Sequence, residues 1–478
     1  MKVAFVASEA SPFAKTGGLG DVIGALPKAL SKEGVEVSVF LPKYGDIPKH
    51  FLDQMEAVEK IEMDLTWRRK YVGVESLFYE GIQYYFIDNE FYFKRWGLYG
   101  YGDDGERFIY FSKAVLEAIK VMGKSFDILH AHDWQAAAIP LFLKSVYKDA
   151  PCFQKTKTLF TIHNLKYQGV FGTEILGDLL GLGPEHLHEY GLEFHGRVNL
   201  MKSALILSNA LTTVSPNYSE EIKTGFFGEG LEGVLEEQNE KLRGIVNGID
   251  VEKHNPKTDG EIFKKYDVDH LEEKVQNKEY LQRKLDLPVD ASIPVIGLIS
   301  RFVEQKGIDL IQRIIYEVLQ GKVQFIVLGS GEKKYEDFFN RLAYDFPDKV
   351  AVYIGFEETL AREIYAGSDF FLMPSLFEPC GLGQLIAMHY GTIPIVRETG
   401  GLRDTVIPYN QYTGEGHGFS FTHYNAHDLL FTIKRAISIY PKEKIISGLR
   451  KNAMNVDVSW RKSARDYRSL YEELIQRR

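Results

Sequence analysis

Short apolar runs, many of them β-branched, recur along this chain, and each gives way to a stretch with helical spacing. VAFVA (3–7) is followed by a helix over about 20–33 and then by VEVSVF (35–40). FDILHAH (126–132), TLFTIH (158–163) and ALTTVS (210–215) continue the series, and Ser215-Pro216 offers a cap and a first helical position. A strand covered on both faces is apolar along its whole length, and strands separated by helices build βαβ units, so the rhythm predicts a parallel sheet. It breaks at GIVNGIDVEKHNP (244–256), whose Gly, Asn and Pro suit a hinge. It then restarts with PVIGLIS (294–300), VQFIVLG (323–329), VAVYIG (350–355), DFFLMPS (369–375) and TIPIV (392–396). The expected fold is α/β, with two doubly wound Rossmann-like domains, 1–243 and 244–456, facing across a cleft. A helical segment, 457–478, could lie on either domain.

Composition narrows what such a chain does. A net charge of -9 over 478 residues argues against a general polyanion-binding surface, so no nucleic-acid partner is expected. Two cysteines, Cys152 and Cys380, cannot form a disulfide framework and suit a reducing cytosol. No run approaches ~18 apolar residues, and the apolar start of MKVAFVASEA is too short for a signal-peptide core, so a cytoplasmic protein without a membrane partner is expected. The 27 Tyr, 31 Phe and 4 Trp crowd into residues 84–108, either as a surface for sugar faces or as a loop packing its own rings.

Open α/β sheets bind ligands beyond the carboxyl ends of their strands, which is where the motifs fall. In FAKTGGLGD (13–21), Lys15 precedes Gly17 and Gly18, and Asp21 follows; a phosphate loop of the GxxxxGK type has its lysine after the glycines. In ISRFVEQKG, Arg301 and Lys306 place two cations before a helix, a fit for a diphosphate. PSLFEPCGLGQL follows another strand. Its Gly381 and Gly383 open a helix, and Glu378 can accept sugar hydroxyls or face positive charge developing at an anomeric carbon. RETGGLRDTV offers a second glycine pair, and Cys380 reads as packing rather than as a nucleophile. GEGLEG (228–233) matches GxGxxG literally, but no strand precedes it, so a dinucleotide loop is rejected. His130 and His132 share a strand face without an evident third metal ligand, so polar groups in the cleft are preferred, and His163 ends a strand before Asn164.

Taken in order, KTGGL (15–19), HAHDW (130–134), TIHN (161–164), VNGID (246–250), SRFVEQKG (300–307), EPCGL (378–382) and TGGLRDTV (399–406) closely resemble the motifs of bacterial glycogen synthases and plant starch synthases. These are retaining glycosyltransferases of the GT-B fold. The resemblance implies glucose transfer from ADP-glucose to the nonreducing end of an α-1,4-glucan such as glycogen or a maltooligosaccharide, without a metal or other cofactor. Carried over by motif, Arg301 and Lys306 bind the diphosphate, Glu378 holds the glucosyl ring, and Cys380, Gly381 and Leu382 line that loop. Gly383 stands where many bacterial members carry Thr. Phe356 falls where an aromatic stacks on adenine. His163 contacts the donor sugar, and Asp133, Trp134, Asn164 and Asn247 belong to the cleft. Lys15, Gly17, Gly18 and Asp21 form an opposing jaw, and Thr399, Gly400 and Gly401 a further anion cradle. Ile386 replaces the second glutamate of the broader two-glutamate glycosyltransferases. Rival readings are another GT-B transferase with a UDP-glucose donor or a different acceptor, a glucan phosphorylase, or a noncatalytic glucan-binding protein.

Overall fold

The structure, a computed structural model, describes residues 1–476. The chain forms two compact units: Met1–Asn247 together with the segment from Trp460 onward, and Gly248–Ser459. The first break falls four residues later than the expected 243/244. Its cause is a short strand, Leu242–Gly244, which pairs in parallel with Ala210–Thr213 and keeps the following residues with the first sheet.

The strands of the first unit are β1 (Lys2–Val6), β2 (Glu36–Pro42), β3 (Glu56–Leu65), β4 (Arg68–Tyr79), β5 (Ile82–Asp88), β6 (Ile128–His132), β7 (Lys157–Ile162), β8 (Val170–Phe171), β9 (Glu193–Phe194), β10 (Arg197–Asn199), β11 (Ala210–Thr213) and β12 (Leu242–Gly244). Nine of them form one sheet in the order β12-β11-β7-β6-β1-β2-β5-β4-β3, and β8, β10 and β9 form a small antiparallel sheet. The large sheet is parallel from β12 to β5, and β4 and β3 add an antiparallel edge. Val3 to Val6 on β1 are fully buried, as the unbroken apolar run requires.

The expected doubly wound sheet is present, and β3, β4 and β5 are additions to it. EAVEKIEMDL carries charge at alternate positions because one face of this edge meets water, so it lacks the continuous apolar signal of a buried strand. Glu80 and Gly81, both at positive φ, close the β4–β5 hairpin in the handedness that matches strand twist. The aromatic stretch 84–108 is mostly core: Tyr84, Phe86, Tyr92, Phe93 and Phe108 are buried, while Trp96 remains 91% exposed. Phe13 meets Phe51, Tyr79, Tyr84 and Phe86 edge-on at 4.8–5.6 Å. The C-terminal helix, Arg461–Gln476, buries Ala464, Tyr467, Leu470, Tyr471 and Leu474 in this unit's core, a 3–4 residue spacing that puts one face inward.

The second unit has β13 (Val295–Phe302), β14 (Gln324–Gly331), β15 (Val350–Ile354), β16 (Phe370–Met373), β17 (Ile393–Arg397) and β18 (Phe419–Phe421), all parallel, in the order β15-β14-β13-β16-β17-β18. Its helix Ile308–Val318 buries Ile308, Ile311, Ile314, Ile315 and Val318 on one stripe. Each sheet reverses its strand order once, the first between β1 and β6, the second between β13 and β16. Helices cross to opposite faces at such a point, leaving a crevice at the carboxyl ends of the two strands.

Candidate active site

At the reversal point of the first unit, β1 runs out into Ser8 and Glu9. The Glu9 carboxylate accepts hydrogen bonds from the Thr16 and Gly17 backbone N–H groups at 2.7 and 3.0 Å, from the Thr16 hydroxyl at 3.0 Å and from the Tyr99 hydroxyl at 2.8 Å. It thereby sets the KTGG loop before any ligand binds. Sequence reading missed Glu9, because one acidic residue after a strand resembles many others; its signal is contact with a loop seven residues on. Lys15 Nζ donates to Asp21 Oδ1 at 2.6 Å across the first turn of the helix Gly18–Lys32. A Cβ added at Gly17 would meet nothing within 4 Å, so the fold itself does not demand glycine there.

β6 and β7 bring His130, His132 and His163 together. His130 and His132 are fully buried, with ring centroids 4.0 Å apart, so they are not the cleft-lining groups expected. His130 is held by the Tyr471 hydroxyl at 2.8 Å and by Thr161 at 2.6 Å, and His132 Nδ1 lies 3.0 Å from His163 Nε2. Among the described residues no group of three metal-ligating side chains occurs. Burial holds the His163 imidazole down at about 3 and keeps His130 and His132 well below the ordinary histidine value, so all three rings are neutral near pH 7.

Asp133 adopts φ 56°, and its carboxylate accepts from the His163 backbone N–H at 2.7 Å. Burial pushes this carboxyl up to about 7, against the opposing pull of the His163 and Asn164 amides. It therefore braces the His163 backbone. The Trp134 ring is engaged in packing, 5.3 Å from Phe108 and 5.7 Å from Phe171, and a Cβ on Gly169 would strike it at 2.5 Å. Asn164 Oδ1 caps its own turn through the Lys166 N–H at 3.1 Å. Asn247 follows β12, and its buried Oδ1 has no hydrogen-bond partner among the described residues.

In the second unit, three strand ends are stitched into one surface. After β13, Lys306 Nζ donates to Glu378 Oε2 at 2.6 Å, and the Ser375 hydroxyl donates to the same oxygen at 3.1 Å. The Gln305 carbonyl accepts from the Leu376 N–H, and the Gln305 side chain donates to the Phe377 carbonyl, tying the loop after β13 to the loop after β16. Arg397, at the end of β17, donates to the Leu376 carbonyl. Gly307, at φ 70°, brings its backbone so close to Pro374 that an added Cβ would lie 2.1 Å from the Pro374 oxygen. Gly400, at φ 44°, does the same to the Glu378 carbonyl at 2.0 Å, and Gly401 to the Cys380 carbonyl at 2.2 Å. The second glycine pair thus exists first for loop-to-loop contact.

Arg301 is exposed beside this cluster, and among the described residues no carboxylate pairs with it. Gly381 takes φ 76°, while Gly383 sits over β16, where a Cβ would press the Phe371 ring at 3.0 Å. Gly383 is therefore set by helix-to-strand packing. Cys380 and Thr399 are buried and Leu382 joins an apolar cluster. Phe356, after β15, lies 74% exposed, two strands from Arg301 in the sheet order.

Comparison with known proteins adds to this geometry. Residues 2–237 match the family model for the starch synthase catalytic domain, and residues 278–452 that for glycosyl transferases group 1. A glycogen synthase of Bacillus cereus (strain Q1) is 53% identical over 476 residues, covering 100% of both chains. One from Alkaliphilus metalliredigens is 51% identical over 99% of this chain and 100% of its own. Among solved structures, the catalytic domain of Arabidopsis thaliana starch synthase IV, bound to ADP and acarbose, superimposes with a TM-score of 0.93 at 36% identity, covering 99% of each chain.

Proposed function

The chain belongs to the family of glycogen and starch synthases, glycosyltransferases that join a nucleotide-sugar donor to a glucan acceptor, and on that premise we propose how its residues carry out the transfer. The donor is ADP-glucose, the acceptor is the nonreducing end of glycogen or a maltooligosaccharide, and configuration at the anomeric carbon is retained. The observation that carries the assignment is the Lys306–Glu378 pair, held at 2.6 Å where the loops after β13 and β16 meet at the reversal point of the second sheet.

Lys306 has three N–H donors, so it can keep Glu378 in place and still bond a diphosphate oxygen. Arg301 supplies a second cation with a planar fork suited to phosphate. Together they stabilise the charge that gathers on the departing ADP, a role these side chains fill without a metal ion. Glu378, fixed by Lys306 and Ser375, accepts glucosyl hydroxyls and faces the positive charge that develops at the anomeric carbon. Phe356 offers its exposed face to adenine; it lacks the hydroxyl a tyrosine would add. The acceptor hydroxyl attacks on the face that the leaving group vacates. In the first unit Lys15 offers a cation, Gly17 leaves room beside the KTGG loop, and Asp21 and Asn247 offer acceptor oxygens. Two cysteines in 478 residues suit a cytoplasmic setting.

Incubation with radiolabelled ADP-glucose and glycogen tests the reading. Label is expected in the polymer, at a higher rate than from UDP-glucose. Faster transfer from UDP-glucose overturns the donor assignment, and no transfer from either overturns the reaction.

A further inference from the structure

Among the described residues the His132 side chain makes one hydrogen bond, between its Nδ1 and His163 Nε2 at 3.0 Å, and its buried Nε2 has no partner. Both rings are neutral, so a single hydrogen lies between them, and two arrangements are available. If His163 donates, the hydrogen of His132 must sit on Nε2, a desolvated N–H with nothing to receive it. If His132 donates through Nδ1, its Nε2 is a bare lone pair. A buried N–H left without an acceptor is the costlier of the two. The second arrangement also places the hydrogen of His163 on Nδ1, the nitrogen that has no hydrogen bond among the described residues, on a ring that is 9% exposed.

The ring of His132 cannot turn to escape this choice. Phe5 packs against it at 4.9 Å, and the His130 ring lies tilted against it with centroids 4.0 Å apart. His130 is in turn pinned by Thr161 at 2.6 Å, itself bonded to Thr212 at 2.6 Å, and by the hydroxyl of Tyr471 from the C-terminal helix at 2.8 Å. The last helix of the chain, distant in sequence, thereby closes the clamp around β6.

We propose that His132 is a positioning residue for glucosyl transfer: it fixes His163 as the tautomer with hydrogen on Nδ1, so that His163 presents a hydrogen-bond donor to an oxygen of the donor sugar and not a base. The inference rests on the proposed glucosyl transfer and on the contact with the donor sugar that the family resemblance implies for His163. An N–H at that point holds a lone pair of a sugar oxygen and so fixes the sugar's orientation, whereas a bare lone pair could only accept from a hydroxyl and would reverse that hydrogen bond. A wrong tautomer in an otherwise intact site is expensive to catalysis.

Two variants and one spectrum test it. His132→Asn puts an amide N–H near the place of Nδ1, and His132→Leu removes the donor while keeping an apolar filling. His132→Leu is expected to lower kcat about 100-fold with the KM for ADP-glucose changed less than about threefold, and His132→Asn to recover most of that loss. Equal losses in both variants, or a normal kcat in His132→Leu, overturn the proposal. Nitrogen NMR of the wild-type protein labelled on histidine, with the His163 signals assigned by their absence in His163→Gln, reads the tautomer directly even where a variant fails to fold. Hydrogen on Nδ1 is expected; hydrogen on Nε2 overturns it. If His163→Gln transfers glucose normally, the role of His163 itself is wrong; if His163→Gln is inactive while His132→Leu is normal, only the positioning role falls.

Discussion

Next to the reversal point of the first sheet, the ends of β6 and β7 carry imidazoles, buried and uncharged, and the carboxylate just after β1, Glu9, is taken up by the KTGG loop. At the reversal point of the second the groups are an ammonium, a guanidinium and a carboxylate, two of them joined at 2.6 Å and one exposed. The same sheet plan therefore uses its charged groups differently: in the first unit they set a loop, and in the second they stand at the strand ends themselves. Neutral groups locked in place can orient a ligand without altering its charge, and cations near a strand end can absorb charge that forms in a reaction. The glycines differ in the same way. Gly400 is required by contact with the Glu378 carbonyl, whereas Gly17 borders open space.

The largest effect belongs to the charged half. Lys306→Ala should lower kcat/KM about a thousandfold. It should also cost about 2 kcal/mol of stability in the second unit, because Glu378 loses its cation in a partly buried position. Adding Glu378→Gln should recover stability measured by thermal unfolding, but not activity; recovery of both would mean that the pair is structural only.

The glycines sharpen the contrast at intermediate size. Gly400→Ala should destabilise by about 2–4 kcal/mol, since its Cβ cannot stand 2.0 Å from a carbonyl oxygen and φ 44° disfavours any side chain. Gly17→Ala should change stability by less than about 0.5 kcal/mol and act only on the KM for ADP-glucose. Denaturant titration and initial rates separate the two; comparable destabilisation would erase the distinction.

The last comparison is the response of the neutral half to pH. His163 titrates at about 3 when folded and near ~6.5 when unfolded, so between those values the unfolded chain binds more protons and stability falls as pH drops. His130 and His132 act in the same direction. Asp133 opposes them: at about 7 folded against ~3.9 unfolded, its folded form holds the extra proton, so it favours folding as pH drops across that interval. Three groups outweigh one. Hydrogen exchange of the β6 and β7 amides, corrected for intrinsic rates, should show protection declining from pH 6.5 to 5; rising protection would mean that the histidines are not neutral in the fold.

Much of this was legible in the residues alone. VAFVA, TLFTIH and PVIGLIS announce buried parallel strands because a strand covered on both faces must be apolar throughout, and ligand groups placed after them fall at strand ends by geometry. Arg301, Lys306 and Glu378 could be named for that reason. The charged alternation of EAVEKIEMDL hid an edge strand, and the tyrosines of residues 84–86 were open to two readings until β5 placed them in the core.

Local pattern determined where strands end and which polar residues stand there, since both follow from backbone period and side-chain burial. Only the tertiary structure decided what those residues face. Glu9 governs the KTGG loop, Gly383 yields to Phe371, and Tyr471 reaches His130 across 341 positions of sequence. Contacts of that kind depend on how separate elements pack, and no short-range period in the chain encodes which side chain will arrive opposite another.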